Sequence, residues 1–202
     1  MQNSTKCNSN YRLSFGIGGL YVKESETILN LYVRVGDWGE VMDIIVDQNT
    51  LQFNSKASTK RIAREICTRL RSLMPDEITY FLDADFQDQA IITWISICRT
   101  YQFIEEFVTS VIIESFASYR LDLKNADFEF FFDEQTQWHP ELENLSNSTK
   151  NNLRRGLFRM MREVGILSSN SQIRQVIPSS SLKNIKSFAK DELSRFLPGV
   201  LT

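Results

Sequence analysis
Apolar positions along this chain recur mostly at helical spacing. Between Leu20 and Val35 the residues Leu20, Ile28, Leu31, Tyr32 and Val35 form one stripe, and Gly36-Asp37 then supplies a helix stop followed by a cap. Trp38, Val41, Met42 and Ile45 give a second helix its apolar face. A polar stretch, DQNTLQFNSKAS, leads to a third helix in which Ile62, Ile66, Leu70 and Leu73 make a buried stripe. Ser58 reads as its N-cap. Met74-Pro75-Asp76 marks a boundary, because proline cannot continue a helix interior and biases the residue before it away from helix. Residues 77 to about 121 read as two or three packed helices.

The last third predicts a helix over LDLKNADFEFFFDE, a short element from Glu141 to Leu145, and a third helix within STKNNLRRGLFRMMREVGIL. Leu153, Leu157, Met160, Met161 and Val164 form its buried side, with Ser148 and Gly165 as caps. After Ile166-Leu167, the turn-like SSNS and the run QIRQVI up to Pro178 predict a two-stranded hairpin carrying Arg174. Helix, short helix, basic helix and hairpin is the order of a winged helix. The expected fold is therefore mainly α: a helical bundle in the middle, flanked by N- and C-terminal winged-helix-like (helix-turn-helix) units with a small β-hairpin wing. The expected partition is a disordered lead at 1–10, an N-terminal unit at 11–75, a helical middle at 76–121, a C-terminal unit at 122–182 and an extension at 183–202.

Composition supports helices. With 42% hydrophobic residues in 202 the chain can bury a core, while 8 Gly and 4 Pro are too few for the many tight turns of a β-sandwich. The most hydrophobic region, AIITWISICRTYQFIEEFVTSVIIESF, is interrupted by Arg99, Glu105, Glu106 and Glu114, too many charges for a span of about 20 apolar residues. The polar first residues lack the apolar stretch of a signal peptide, so a cytoplasmic protein is expected. Cys7, Cys67 and Cys98 have no paired spacing, and the last two fall inside apolar helical patterns as small core side chains.

The net charge of −2 conceals segregation: residues 1–75 hold 10 basic and 7 acidic side chains, residues 76–147 hold 3 and 15, and residues 148–202 hold 10 and 3. Local charges of +3, −12 and +7 leave a positive face available at each end. Lys60, Arg64 and Arg71 repeat at helical spacing on the third helix, with Lys56 and Arg61 beside them. Near the C-terminus Lys150, Arg154, Arg155, Arg159 and Arg162 sit on the corresponding basic helix, and Arg174 lies in the hairpin. Guanidinium forks meet phosphate oxygens or guanine edges, so these residues are the candidate DNA contacts. A solvated helix face is the alternative for either stripe taken alone.

No catalytic set emerges. His139, the single histidine, lacks the partners a metal site needs and reads as structural. Phe128 to Phe132 are flanked by Asp127, Glu129, Asp133 and Glu134, which would repel phosphate, so the run reads as core rather than a base-stacking platform. Gly16, Gly18 and Gly19 lack the preceding strand and the lysine of a phosphate loop, and read as a tight approach to the first helix. No enzyme activity, metal or cofactor is expected.

Six stretches, GGLYVKES, LYVRVGDWGEV, STKRIAREICTRL, WISICRTYQFIEEFV, LDLKNADFEFFF and STKNNLRRGLFRMMREVGIL, in this order over roughly residues 13–167, together with the WH pair, resemble the BrxA family of bacterial BREX phage-defence systems. That resemblance implies a small helical cytoplasmic protein with winged-helix-like ends. It also implies a protein encoded with a methyltransferase, an ATPase and associated BREX factors, and expected to contribute to phage restriction through double-stranded DNA binding. A protein–protein adaptor, docking its acidic aromatic middle onto another BREX protein, and a structured-RNA binder are the competing functions.

Overall fold
The computed structural model describes residues 11–188 and 191–200. The expected disordered lead at 1–10, Cys7 with it, lies outside the described residues. A 3-10 turn, Ser14–Ile17, precedes three helices: α1 (Val22–Val35), α2 (Trp38–Gln48) and α3 (Lys56–Leu70). Gly36 ends α1 with φ of +79°, donating its N–H to the Tyr32 carbonyl at 2.7 Å, and the Asp37 carboxylate accepts from the Glu40 N–H to start α2. Trp38 stacks on Tyr32 with ring centroids 4.0 Å apart, clamping that corner. The cap of α3 is Ser55 rather than Ser58: its Oγ accepts from the Ser58 N–H, so the helix begins three residues earlier than expected.

Pro75 opens α4 (Pro75–Asp83) as its first residue, where its missing N–H costs nothing. The central helix is α5 (Phe86–Thr100), buried on all faces from Asp88 to Cys98, as expected of a helix wrapped by others. α6 (Gln102–Phe107) runs through a π-helical stretch, Val108–Ile113, into α7 (Glu114–Ala117). The hydrophobic region weighed as a membrane span is thus α5 to α7, and none of the described helices is long and apolar enough to cross a membrane. Phe103 and Phe107 meet Phe128, Phe131 and Phe132 of α8 (Asn125–Thr136), several in edge-to-face contact. Those three α8 rings are core, whereas Phe130 between them is 68% exposed.

After the short α9 (Pro140–Glu143) comes α10 (Asn147–Glu163), capped by Ser146 instead of Ser148 and followed by Gly165 at φ of +91°. The hairpin is corrected: among the described residues no strand forms, only the isolated antiparallel bridges Leu167↔Ile173 and Asp122↔Gln172. The pairing is short because the turn at Ser168–Ser171 leaves Ile166–Ser168 facing Gln172–Arg174 alone, and Pro178, which has no N–H to donate, follows soon after. The opposite edge of the returning segment pairs with residues 121–123, where Ile173 N–H donates to Leu121 O at 2.7 Å.

The segment beyond α11 (Ser180–Lys183) returns to the middle of the molecule. Arg99 makes bidentate contacts to both Glu77 and Glu192, at 2.6–2.8 Å. The buried Trp94 indole donates to the carbonyl of Phe196 in α12 (Glu192–Phe196) at 3.0 Å. One apolar cluster runs from Tyr11 to Leu197.

Candidate nucleic-acid interface
Cations count toward a polyanion site when no carboxylate of the same chain neutralises them. Lys60, Arg61 and Arg64 on α3 are exposed and have no ion-pair partner among the described residues. The buried stripe of α3, carrying Ile62, Ala63 and Ile66, forces these three outward. Lys56 pairs with Asp47 at 3.1 Å, and Arg71 lies over the Trp38 ring at 5.7 Å. Beneath the exposed cations runs a buried pair: Arg69 Nε donates to Glu65 Oε1 at 3.1 Å, with the two side chains 1% and 4% exposed. Burial pulls the Arg69 guanidinium below its ordinary value, against the opposing pull of Glu65.

On α10 the geometry splits the predicted set. Lys150 pairs with Asp133 at 2.6 Å and lies over Phe132, and Arg154 pairs with Glu129 at 2.7 Å; both acids are on α8. Arg155 is exposed without an ion-pair partner among the described residues. Arg159 bonds Glu163 at 2.7 Å, and that hydrogen bond raises its guanidinium further above its ordinary value. Arg162 is exposed and donates to Ser171 Oγ at 3.3 Å, while Arg174 is exposed beside the Leu167↔Ile173 bridge.

A feature the charge pattern alone did not show joins the two helices. The N-terminal strap, residues 11–20, packs across both. Tyr11 anchors one end, stacked on His139 at 3.5 Å and donating its hydroxyl to Glu106 at 2.7 Å. Burial and that carboxylate raise the Tyr11 hydroxyl far above its ordinary value. Ser14 Oγ donates to Glu65 of α3 at 2.9 Å, and Leu20 N–H donates to Glu163 of α10 at 2.5 Å. At Gly156 the α10 backbone comes so close that an added Cβ would lie 3.3 Å from Phe15 O and 3.4 Å from Gly16 Cα. A cleft of about 390 Å³ between strap and α3 is lined by Arg12, Lys60, Arg61 and Arg64. A second, of about 270 Å³ between strap and α10, is lined by Arg155 and Arg159.

The unpaired cations of α3 and Arg155 of α10 thus flank one 3-10 turn. Sequence periodicity missed Arg12, whose only local signal is the glycine-rich stretch that follows it. Among the described residues no group of three or more His, Cys, Asp or Glu is placed to hold a metal ion. The thiols of Cys67 and Cys98 are buried, and burial pushes Cys67 up to about 11.

Comparison with known proteins places these features in a family. A solved structure titled as an uncharacterized protein from Magnetospirillum magneticum superposes with a TM-score of 0.80 at 20% identity. It covers 92% of this chain and 97% of that one, which fixes the shared fold. A "BREX protein BrxA" from Bacillus cereus is 26% identical over 137 residues, 68% of each chain. Proteins of the same name are 22% identical over 152 residues in Escherichia coli O9:H4, covering 75% of this chain and 71% of that one, and over 167 residues in Paramagnetospirillum magneticum, covering 81% and 82%. The family model named BrxA matches residues 9–187, and this chain belongs to the BrxA family.

Proposed function
We propose that this chain is a BREX component that binds duplex DNA, carries no catalytic activity of its own and contributes to phage restriction in the bacterial cytoplasm. One observation carries the reading. In a chain of net charge −2, Lys60, Arg61, Arg64 and Arg155 are exposed without carboxylate partners among the described residues, around one turn of backbone. Unpaired cations gathered on one face attract a polyanion, and neutralised phosphates release counterions, which drives binding. α1–α3 and α8–α10 are read as helix-turn-helix-like units that present α3 and α10 to the duplex. Arg162 and Arg174 extend the surface from α10. Lys56, Lys150, Arg154 and Arg159, each paired with an acid, are read as supporting contacts only. The expected partners are double-stranded DNA and other BREX proteins, the methyltransferase and ATPase among them.

The test is fluorescence anisotropy with a labelled random duplex against Arg64→Glu, Arg155→Glu and the double variant. Each reversal is expected to weaken binding on any sequence and to lower the salt slope by about one or more. Unchanged affinity in the double variant refutes the assignment. Competition by structured RNA as strong as by duplex DNA would turn the reading to RNA.

A second reading, a protein adaptor, is favoured by Phe130 and Trp138, which are 68% and 77% exposed. Phe130 lines a cleft of about 460 Å³ with Glu114 and Glu134, a surface that repels DNA. Capture of a BREX protein that survives nuclease and is lost in Phe130→Glu supports this reading, and retention in the variant removes it.

A further inference from the structure
The cleft between the strap and α3 is built rather than merely charged. Its cations come from two places far apart in sequence, Arg12 on the strap and Lys60, Arg61 and Arg64 on the helix. None of the four has an ion-pair partner among the described residues, whereas on α10 Lys150, Arg154 and Arg159 each have one. The sole acid on its wall, Glu65, is 3% exposed and occupied from behind by Arg69 and from the side by Ser14. Ser14 in turn receives the Arg12 Nε at 3.1 Å, so one hydroxyl joins the two chain segments. The terminal guanidinium nitrogens of Arg12 make no hydrogen bond within the described residues. Behind this relay Arg69 Nη1 donates to Gly19 O at 3.0 Å, fixing the far end of the strap.

Two further facts select the ligand. Ala57, in the first turn of α3, lines the cleft, and that turn contains no acid, so the positive end of the 15-residue helix adds to the side-chain field. Among the described residues no aromatic ring or side-chain amide is on the walls, which leaves nothing there to stack on a base or read its edge.

We propose that this cleft is a preformed phosphate seat, in which Arg12, Lys60, Arg61 and Arg64 share one phosphate group of a nucleic-acid backbone and the Glu65–Ser14 relay holds Arg12 in place. The backbone source rests on the DNA reading above; the seat itself does not. Arg12 is a ligand of the phosphate, and Ser14 and Glu65 are positioning residues. The seat recognises charge and geometry, so its contribution is the same on every DNA sequence.

The chain is titrated with a random duplex over a range of salt, as wild type, Arg12→Ala, Lys60→Ala and the double variant. In parallel, the thermal midpoints of wild type and Arg12→Ala are recorded with increasing inorganic pyrophosphate. Arg12 is exposed and makes one hydrogen bond, so Arg12→Ala is expected to fold, which circular dichroism checks. Losing one charge-assisted contact weakens duplex binding by about tenfold and lowers the salt slope by about one. The double variant loses less than the product of the two single effects, because both residues serve one phosphate.

Duplex affinity unchanged in Arg12→Ala, with a pyrophosphate-dependent midpoint that the variant abolishes, supports the seat but assigns it to a free phosphate compound. Neither change in Arg12→Ala overturns the seat while leaving DNA binding by the helices standing. A wild type that binds no duplex, yet is stabilised by pyrophosphate through Arg12, removes the DNA reading and supports the seat.

Discussion

Arg69→Met isolates the energetics of the joint between α3 and the strap. The wild-type side chain is 1% exposed and satisfies Glu65 at 3.1 Å and Gly19 O at 3.0 Å, while its Nη2 has no hydrogen-bond partner among the described residues. Methionine fills a similar volume but leaves the Glu65 carboxylate buried with Ser14 as its one remaining donor among the described residues. Removing one partner of a buried ion pair costs about 3–5 kcal/mol, because the other charge is stranded away from water. The unpartnered Nη2 is already a cost in the wild type, which places the expectation at about 3 kcal/mol, the lower end of that range. For a domain of this size that loss lowers the thermal midpoint by about 6–12 °C.

Urea unfolding followed by circular dichroism measures it, with Glu65→Leu/Arg69→Met as the diagnostic variant. Replacing both charges by apolar side chains removes the stranded carboxylate and is expected to recover most of the loss. A single variant with the wild-type midpoint, or a double variant no more stable than the single one, refutes the reasoning.

Gly156→Val adds a branched side chain where Phe15 O and Gly16 Cα lie 3.3 and 3.4 Å from the Cβ position. Backbone cannot give way as a side-chain tip can, so about 1–3 kcal/mol of stability is lost, and thermal unfolding at the wild-type midpoint would refute that close packing. Cys67 and Cys98 stay unmodified when the native chain meets iodoacetamide at pH 8 and react in denaturant; peptide mass mapping reads the outcome. The folded Cys67 thiol is raised to about 11 by burial, so the unfolded chain loses this proton first. Stability from this group is present below the unfolded thiol value of about 8.5 and is lost as pH rises towards 11, which unfolding midpoints between pH 8 and 10.5 test. Glu192→Ala takes one carboxylate from Arg99 but leaves Glu77 bidentate, so it costs less than Arg99→Met, which takes the cation from both acids and leaves the buried Glu77 only its neutral donors from Met74 and Ser187; equal midpoints for the two variants would contradict that ranking.

Local chemistry was legible where one residue decides it. Gly36 and Asp37 mark the α1–α2 break because a left-handed backbone favours glycine and a carboxylate can accept from an exposed N–H. Caps in serine-rich runs were not: Ser55 and Ser58, or Ser146 and Ser148, offer the same hydroxyl, and packing chooses between them. The stripes of α3 and α10 followed from helical period, yet period reveals a face and not its neighbour. Asp133 and Glu129, one turn apart on α8, neutralise Lys150 and Arg154 from another element. The hairpin was overread because a short alternating run satisfies a strand pattern without the length of partner a ladder requires.

The strap was the least visible feature. Tyr11 meets Glu141 and Leu20 meets Glu163 across more than a hundred residues, and its glycines carry no periodic signal. Arg99 read as a charge that excluded a membrane span; its partners, Glu77 and Glu192, show that it also ties the last segment to the middle. The charge segregation points to two positive ends, while the fold brings Arg12, Lys60, Arg61 and Arg64 from one and Arg155 from the other to a single turn.

The most direct test of the central claim is a titration of the wild-type chain against a labelled random duplex by fluorescence anisotropy, at low and at physiological salt. The account predicts saturable binding whose affinity falls steeply as salt rises, with a slope of several, as the number of unpaired cations around the strap requires. Absence of binding at low salt, or binding indifferent to salt, would contradict it.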